Sequence, residues 1–156
     1  MLFRSVGASS YEIRRTGVDD IRPLRLDVLR RGMANRTVAF DGDDDPSTIH
    51  LAAFDHSNTV VATSTWLERP APHRPGERAT QLRGMATHRT LQGTGLGSRV
   101  LRAGLDMARA AGSPLVWANA RDAALDFYRA HGFSVVGDGF IETVTQLPHH
   151  VVELRL

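Results

Sequence analysis

"LQGTGLGS", residues Leu91 to Ser98, sets three glycines in five positions and runs straight into a helix-like stretch. Glycine costs a helix about 1 kcal/mol relative to alanine, so clustering it at a helix start implies backbone that must stay bare. Upstream, "ATQLRGMAT" (Ala79–Thr87) alternates as a strand does. Downstream, Leu96–Ala111 reads as a helix that sets Leu101, Leu105 and Ala108 apart from a stripe of Arg99, Arg102, Asp106 and Arg109 and stops at Gly112. A strand, a glycine loop and a helix start together offer unpaired amides and the positive end of a helix dipole to an anion. A side chain there would hold a phosphate away from those donors. Tight strand–helix packing asks for the same glycines, and the loop alone leaves both readings open.

Two well-known phosphate loops do not fit. A Walker loop needs a lysine, and the chain has none. The dinucleotide fingerprint would need glycine at Ser98 and an acidic residue at the end of the next strand, which instead closes in "WANAR".

Working outward, "YEIRRTG" (Tyr11–Gly17) reads as a first strand, followed by a helix capped by Asp19 or Asp20 and ending near Gly32. "DGDDDPS" (Asp41–Ser47) reads as a solvated acidic turn; a calcium loop would want glycine at Pro46 and glutamate at Ala52. Ile49–Asp55 and Thr59–Leu67 form a hairpin around "HSN", and the proline-rich Glu68–Glu77 leads to the strand before the glycines. "PLVWAN" (Pro114–Asn119) is a buried strand, Asp122–His131 a helix capped by Asp122, and "FSVVG" and "HVVELRL" the closing strands. The order β-α-β-β-β-α-β-α-β-β describes a mixed α/β sheet covered by helices, with antiparallel strands at the front.

At 156 residues the chain fits one domain, residues 1–156, with no repeat or long linker. It has no cysteine, which excludes disulfides, thiolate metal sites and a cysteine nucleophile. No apolar run nears the roughly 18 residues needed to span a bilayer. "MLFRSVGASS" lacks the apolar core of a signal peptide, so the expected location is cytoplasmic. The net charge of +2 is mixed along the chain, with no basic stripe interleaved with aromatics, and neither nucleic acid nor a membrane is an expected partner.

Read as Gln/Arg-x-x-Gly-x-Gly/Ala, the loop matches at Gln92, Gly95 and Gly97, and "NARDAALDFYRAHGF" (Asn119–Phe133) follows after a helix and a strand. This combination resembles the GNAT superfamily of N-acetyltransferases, over roughly Ala79–Gly137 by motif and over the front third by element order. The resemblance implies a GNAT-like acyl-CoA N-acyltransferase fold: a mixed, mostly antiparallel central sheet with one splayed parallel pair, flanked by helices. It implies acetyl-CoA as the bound co-substrate, with CoA as product. The pyrophosphate would lie on the amides of Gly93, Thr94, Gly95, Leu96, Gly97 and Ser98. Backbone groups of the Met85-Ala86-Thr87 strand would pair with the pantetheine arm, as in strand addition. Asn119 would face that arm across the splay, although a local turn or cap accounts for it equally. Tyr128 stands where the family has the tyrosine that meets the coenzyme sulfur; a phenol is protonated at neutral pH and can donate to a departing thiolate. Its alternative is ring packing in the core, as expected of Phe127 and Phe133.

An alkyl ammonium of pKa about 10.4 must lose a proton before it attacks a thioester. Some members of the family carry a glutamate on the strand before the loop. Here alternation places Gln81, Arg83, Met85 and Thr87 on one face, without a carboxylate. The remaining acid/base candidates, Glu142, His149 and His150, lie in "DGFIETVTQLPHH" (Asp138–His150), read as a loop at the mouth of an acceptor pocket. Two adjacent histidines do not make a metal site. Arg83 either pairs with a carboxylate beside the sheet or presents charge to the acceptor. The expected function is acetyl-CoA-dependent N-acetyl transfer to a primary amine of a small molecule or peptide by direct attack in a ternary complex. The alternative is a non-catalytic CoA-binding or sensor module. Open sheet edges leave a homodimer possible.

Overall fold

The structure is a computed structural model that describes residues 10–156; the N-terminal stretch read for a leader lies almost wholly outside the described residues. Seven strands form one sheet: β1 (Glu12–Thr16), β2 (Ile49–Phe54), β3 (Val60–Glu68), β4 (Thr80–Thr87), β5 (Leu115–Arg121), β6 (Ser134–Ile141) and β7 (Pro148–Arg155). Their spatial order is β1-β2-β3-β4-β5-β7-β6. The helices are α1 (Val18–Leu29), α2 (Leu96–Ala110) and α3 (Leu125–Ala130). The order of elements is the one expected from the sequence. Every strand pairing is antiparallel except β4 with β5.

Successive residues of a strand face opposite sides of a sheet, and β2 shows which helix lies where. Ala52 and Phe54 pack with Ile21 of α1, while Ala53 packs with Val100 of α2. α1 therefore covers one face and α2 the other. α3 joins α2, because Leu125 and Tyr128 share a core with Leu101, Leu105, Trp66 and Val152. The connection before β4 covers the α1-side face of β5, where Ala71 and Ala79 meet Leu115 and Trp117, and the Trp117 indole donates to the Arg69 carbonyl at 2.8 Å.

Several local expectations are corrected. Neither Asp19 nor Asp20 caps α1; Gly17 occupies that position without a side-chain cap, and Asp20 instead accepts from the Thr16 hydroxyl. Asp43 is buried rather than solvated, because it pairs with the fully buried Arg25 at 2.7 Å. Asp122 does not cap α3, which begins three residues later after a 3-10 turn. β6 and β7 extend into the stretch read as a loop, leaving only residues 142–147 between them.

Candidate active site

Among the described residues the only parallel pairing in the sheet is short. Thr80 opposes Val116 and Gln81 opposes Trp117, and there the ladder ends. β4 continues to Thr87 bound to β3, and β5 continues to Arg121 bound to β7. From Leu82 onward the two strands part, and among the described residues the β5-facing backbone edge of β4 has no strand partner. A bulge accompanies the parting: Thr65 opposes Arg83 and Thr63 opposes Ala86, so Gly84 and Met85 share one opposite residue. A bulge bends its strand and raises its twist.

That bulge also corrects the expected face. Gln81 and Arg83 do share one side with Phe40 and Arg69: the Arg83 guanidinium lies 5.0 Å from the Phe40 ring and Gln81 Oε1 faces Arg69 at 3.4 Å. The extra residue reverses parity, so Met85 packs into the cores under α2 and Thr87 Oγ1 lies against Gly97.

The gap between the strands opens a cavity of about 410 Å³. Its walls come from both faces of the sheet: Leu29, Arg30 and Phe40 from one, Ala124 and Tyr128 from the other, with Arg83, Met85, Asn119, Arg121, Glu142 and His149 between. The glycine loop follows the end of β4, and Gly97 lies close to Met85 of the cavity wall. A 3-10 turn, Arg89–Leu91, follows β4, and Gly95 stands as the N-cap of α2 at φ 88°. Gly93 is also left-handed at φ 81°, a backbone region that side chains resist. An added Cβ at either position would meet nothing within 4 Å, so the loop presents open backbone rather than a packed turn. Gln92 serves the loop itself, its amide donating to the Thr87 carbonyl at 3.1 Å. Thr94 likewise turns inward, its hydroxyl donating to the Leu91 carbonyl at 2.6 Å. Gly93, Gly95, Leu96 and Ser98 remain as amide positions at the helix start, and Gly97 lets α2 approach Thr87, where a Cβ would lie 3.2 Å from Oγ1.

Tyr128 is buried, with its ring edge-to-face on Phe127 at 5.4 Å and on Phe133 at 5.3 Å. It lines the cavity as well, so packing and access coexist. Burial pushes its phenol well above the ordinary value, which keeps the proton on Oη. Asn119 is exposed on the parted segment of β5.

The three acid/base candidates separate. His149 and His150 are strand neighbours and face opposite ways. His149 is buried in the cavity wall with Nδ1 2.9 Å from the Leu147 carbonyl. A carbonyl only accepts, so Nδ1 carries hydrogen and Nε2 is the acceptor of the neutral ring. His150 lies outside the cavity wall, its Nδ1 2.6 Å from the Asp122 carboxylate. Glu142 reaches the cavity, but its oxygens accept from the Val144 amide at 3.0 Å and the Thr145 amide at 2.7 Å. Burial would raise its carboxyl, but those amides and nearby His149 hold it below the usual range, making it a poor base.

Sequence reading missed Arg30, Phe40 and the lining role of Arg121. Arg30 ends the first helix and Phe40 stands in a loop, so no periodicity marked either. The buried Arg25–Asp43 pair fastens Phe40 in place, since Asp43 also accepts from the Phe40 amide at 2.8 Å. Among the described residues no group of three His, Cys, Asp or Glu side chains could hold a metal ion, and no helix is long and apolar enough to cross a membrane.

Comparison with known proteins agrees with this architecture. A family model described as the acetyltransferase (GNAT) family matches residues 19–133. Among solved structures, a candidate N-acetyltransferase from Lactobacillus plantarum superposes with a TM-score of 0.77 at 20% identity, covering 94% of this chain and 99% of that one. The N-acyl amino acid synthase FeeM from uncultured soil microbes gives 0.75 at 13% identity, covering 93% and 89%. Escherichia coli ElaA gives 0.74 at 18% identity, covering 92% and 98%. At such identities the structures speak to the fold, and the sequence family carries the assignment.

Proposed function

We propose that this chain, which belongs to the acetyltransferase (GNAT) family, is an acetyl-CoA-dependent N-acetyltransferase acting on a primary amine by direct attack in a ternary complex. Family membership implies acyl transfer from an acyl-CoA; the choice of acetyl and the residue roles are our reading. The observation that carries it is the parting of β4 from β5 beside an open, left-handed glycine turn, with Tyr128 and His149 in the walls of the resulting cavity.

The residues fit such a group. Gly93 and Gly95 leave clear space over the helix start, where amides suit a pyrophosphate, each hydrogen bond to a charged group contributing about 1.5–3 kcal/mol. The unpaired edge of β4 suits an amide-bearing arm laid in as an added strand. When bound, acetyl-CoA supplies the activated thioester. The protein then holds the amine in line, which is worth several kcal/mol in lost freedom already accounted for. His149 Nε2 takes the proton from the attacking nitrogen. The Met85 or Thr87 amide would steady charge on the carbonyl oxygen, and Tyr128 Oη, kept protonated by burial, would donate a hydrogen bond to the departing sulfur.

Two measurements test this. A ligand at 100 times its Kd stabilises a fold by about 2.7 kcal/mol, which for a chain of this size raises Tm by about 5–11 °C. Acetyl-CoA and CoA should each do so, and no rise with either at millimolar concentration refutes the reading. Thiol release across a broad amine panel should then show turnover. Tight CoA binding with silence against every amine would instead favour a non-catalytic CoA-binding module.

A further inference from the structure

The cavity wall holds more positive than negative charge: three arginines line it with two carboxylates, Asp41 and Glu142. Arg30, Arg83 and Arg121 all line it, and among the described residues none has a carboxylate within ion-pair distance. Main-chain carbonyls hold them instead. Arg30 donates to Thr37 O at 2.8 Å and Leu29 O at 3.2 Å, Arg83 to Asp41 O at 3.0 Å, and Arg121 to Leu29 O at 2.7 Å. A carbonyl directs a guanidinium without neutralising it and leaves most of its five N–H donors unused. Burial disfavours the charge on all three and Arg121 disfavours it further at Arg30, while Glu142 offsets part of this at Arg30 and Arg121, and Asp43 and Asp41 at Arg83.

The carboxylates nearby are engaged. Asp43 is held by Arg25. Asp41 is exposed and bound by Arg69 at 3.0 Å. Glu142 is oriented by two amides that keep it ionised, so it offsets at most one of the three charges. Arg25 covers the Phe40 ring, and His149 lines the same cavity. Gathering three desolvated cations around one small space is costly unless something else supplies the counter-charge.

We propose that the Arg30–Arg83–Arg121 wall selects amine acceptors that carry a compact anionic group, a carboxylate or a phosphate, placed by these guanidiniums so that the amine end meets the transfer site. The inference rests on the acetyl-transfer reading above. Arginine's planar fork suits both anions. The space of about 410 Å³ suits a small acceptor rather than a large one. The same field acts on the acceptor's nitrogen, since neighbouring positive charge disfavours an ammonium and so favours the neutral nucleophile. Acceptors with several positive charges meet repulsion instead, which is discrimination by an unfavourable pairing.

The test uses matched acceptors with the wild-type protein: the L-amino acids against their carboxamides, O-phosphoethanolamine against ethanolamine, and spermidine. With acetyl-CoA, acids should show kcat/KM at least about tenfold above their uncharged partners. The amino-acid and phosphate arms identify which anion is preferred. Arg83→Gln should raise KM for the acids several-fold more than for the carboxamides, with the CoA-induced melting shift retained. Equal turnover of acid and carboxamide, or a preference for spermidine, overturns the proposal and leaves the acetyl-transfer reading standing. If no amine turns over, that reading fails, and calorimetry on the CoA-bound protein decides the anion site separately. Tighter binding of acids than of carboxamides, lost in Arg83→Gln, supports the wall; equal binding overturns it.

Discussion

Replacing Asp43 with alanine should destabilise the fold far more than its place in an acidic loop suggests. Arg25 is fully buried and makes four hydrogen bonds: to Val38 O at 2.8 Å, to Thr65 Oγ1 at 2.8 Å, and to the two Asp43 oxygens at 2.7 and 3.0 Å. Its guanidinium also covers the Phe40 ring at 4.1 Å. Asp43→Ala removes two of those bonds, strips the Phe40 amide of its acceptor and leaves a buried cation without its counter-ion. Breaking such a pair from one side costs about 3–5 kcal/mol. Against a total of about 5–15 kcal/mol that is a large fraction. It corresponds to a fall in Tm of about 6–20 °C. Calorimetric melting and urea unfolding measure it. Arg25→Met combined with Asp43→Ala should recover much of the loss, because no orphaned charge remains. A fall of less than about 2 °C for Asp43→Ala, or a double variant as unstable as the single one, would refute the reasoning. Acid provides a second check. Burial alone would raise the Asp43 carboxyl, but the bonds from Arg25 and the Phe40 amide hold it below its ordinary value. A depressed carboxyl contributes stability above its unfolded pKa of about 3.9 and loses it as pH falls through the folded value. Asp43→Ala should therefore flatten the acid limb of the stability curve.

Tyr128→Phe keeps the ring packing, so CoA binding and Tm should hold while kcat falls about 100-fold, as loss of a proton donor does; unchanged kcat removes the phenol from the mechanism. His149→Gln should lower kcat/KM by about 100-fold near pH 7. The deficit should shrink as pH rises toward the ordinary amine pKa of about 10.4, where the acceptor needs no base; a deficit independent of pH would assign His149 a packing role. Gly104→Ala drives a Cβ to 1.8 Å from Trp66 Cζ2. Such overpacking costs about 1–3 kcal/mol and lowers Tm by about 2–12 °C; an unchanged Tm would show that the indole yields freely.

The order of elements was legible along the chain because each signal was local. Alternation marked Ala79–Thr87, glycine stopped α2 at Gly112, and the cluster of three glycines named its own helix start. The motif that identified the family lies in one continuous run from loop to α3. What stayed hidden depended on contacts between distant segments. Alternation assigned Met85 to the face of Arg83, and only pairing against β3 revealed the bulge that reverses it. Adjacent His149 and His150 looked equivalent until β7 sent one into the cavity and the other to Asp122. Asp43 looked solvated because its partner is 18 residues away in sequence. Periodicity reports which side of an element is apolar. It carries no information on which charged groups from separate elements converge, and the arginine wall, drawn from the end of α1, from β4 and from β5, was decided by tertiary structure alone.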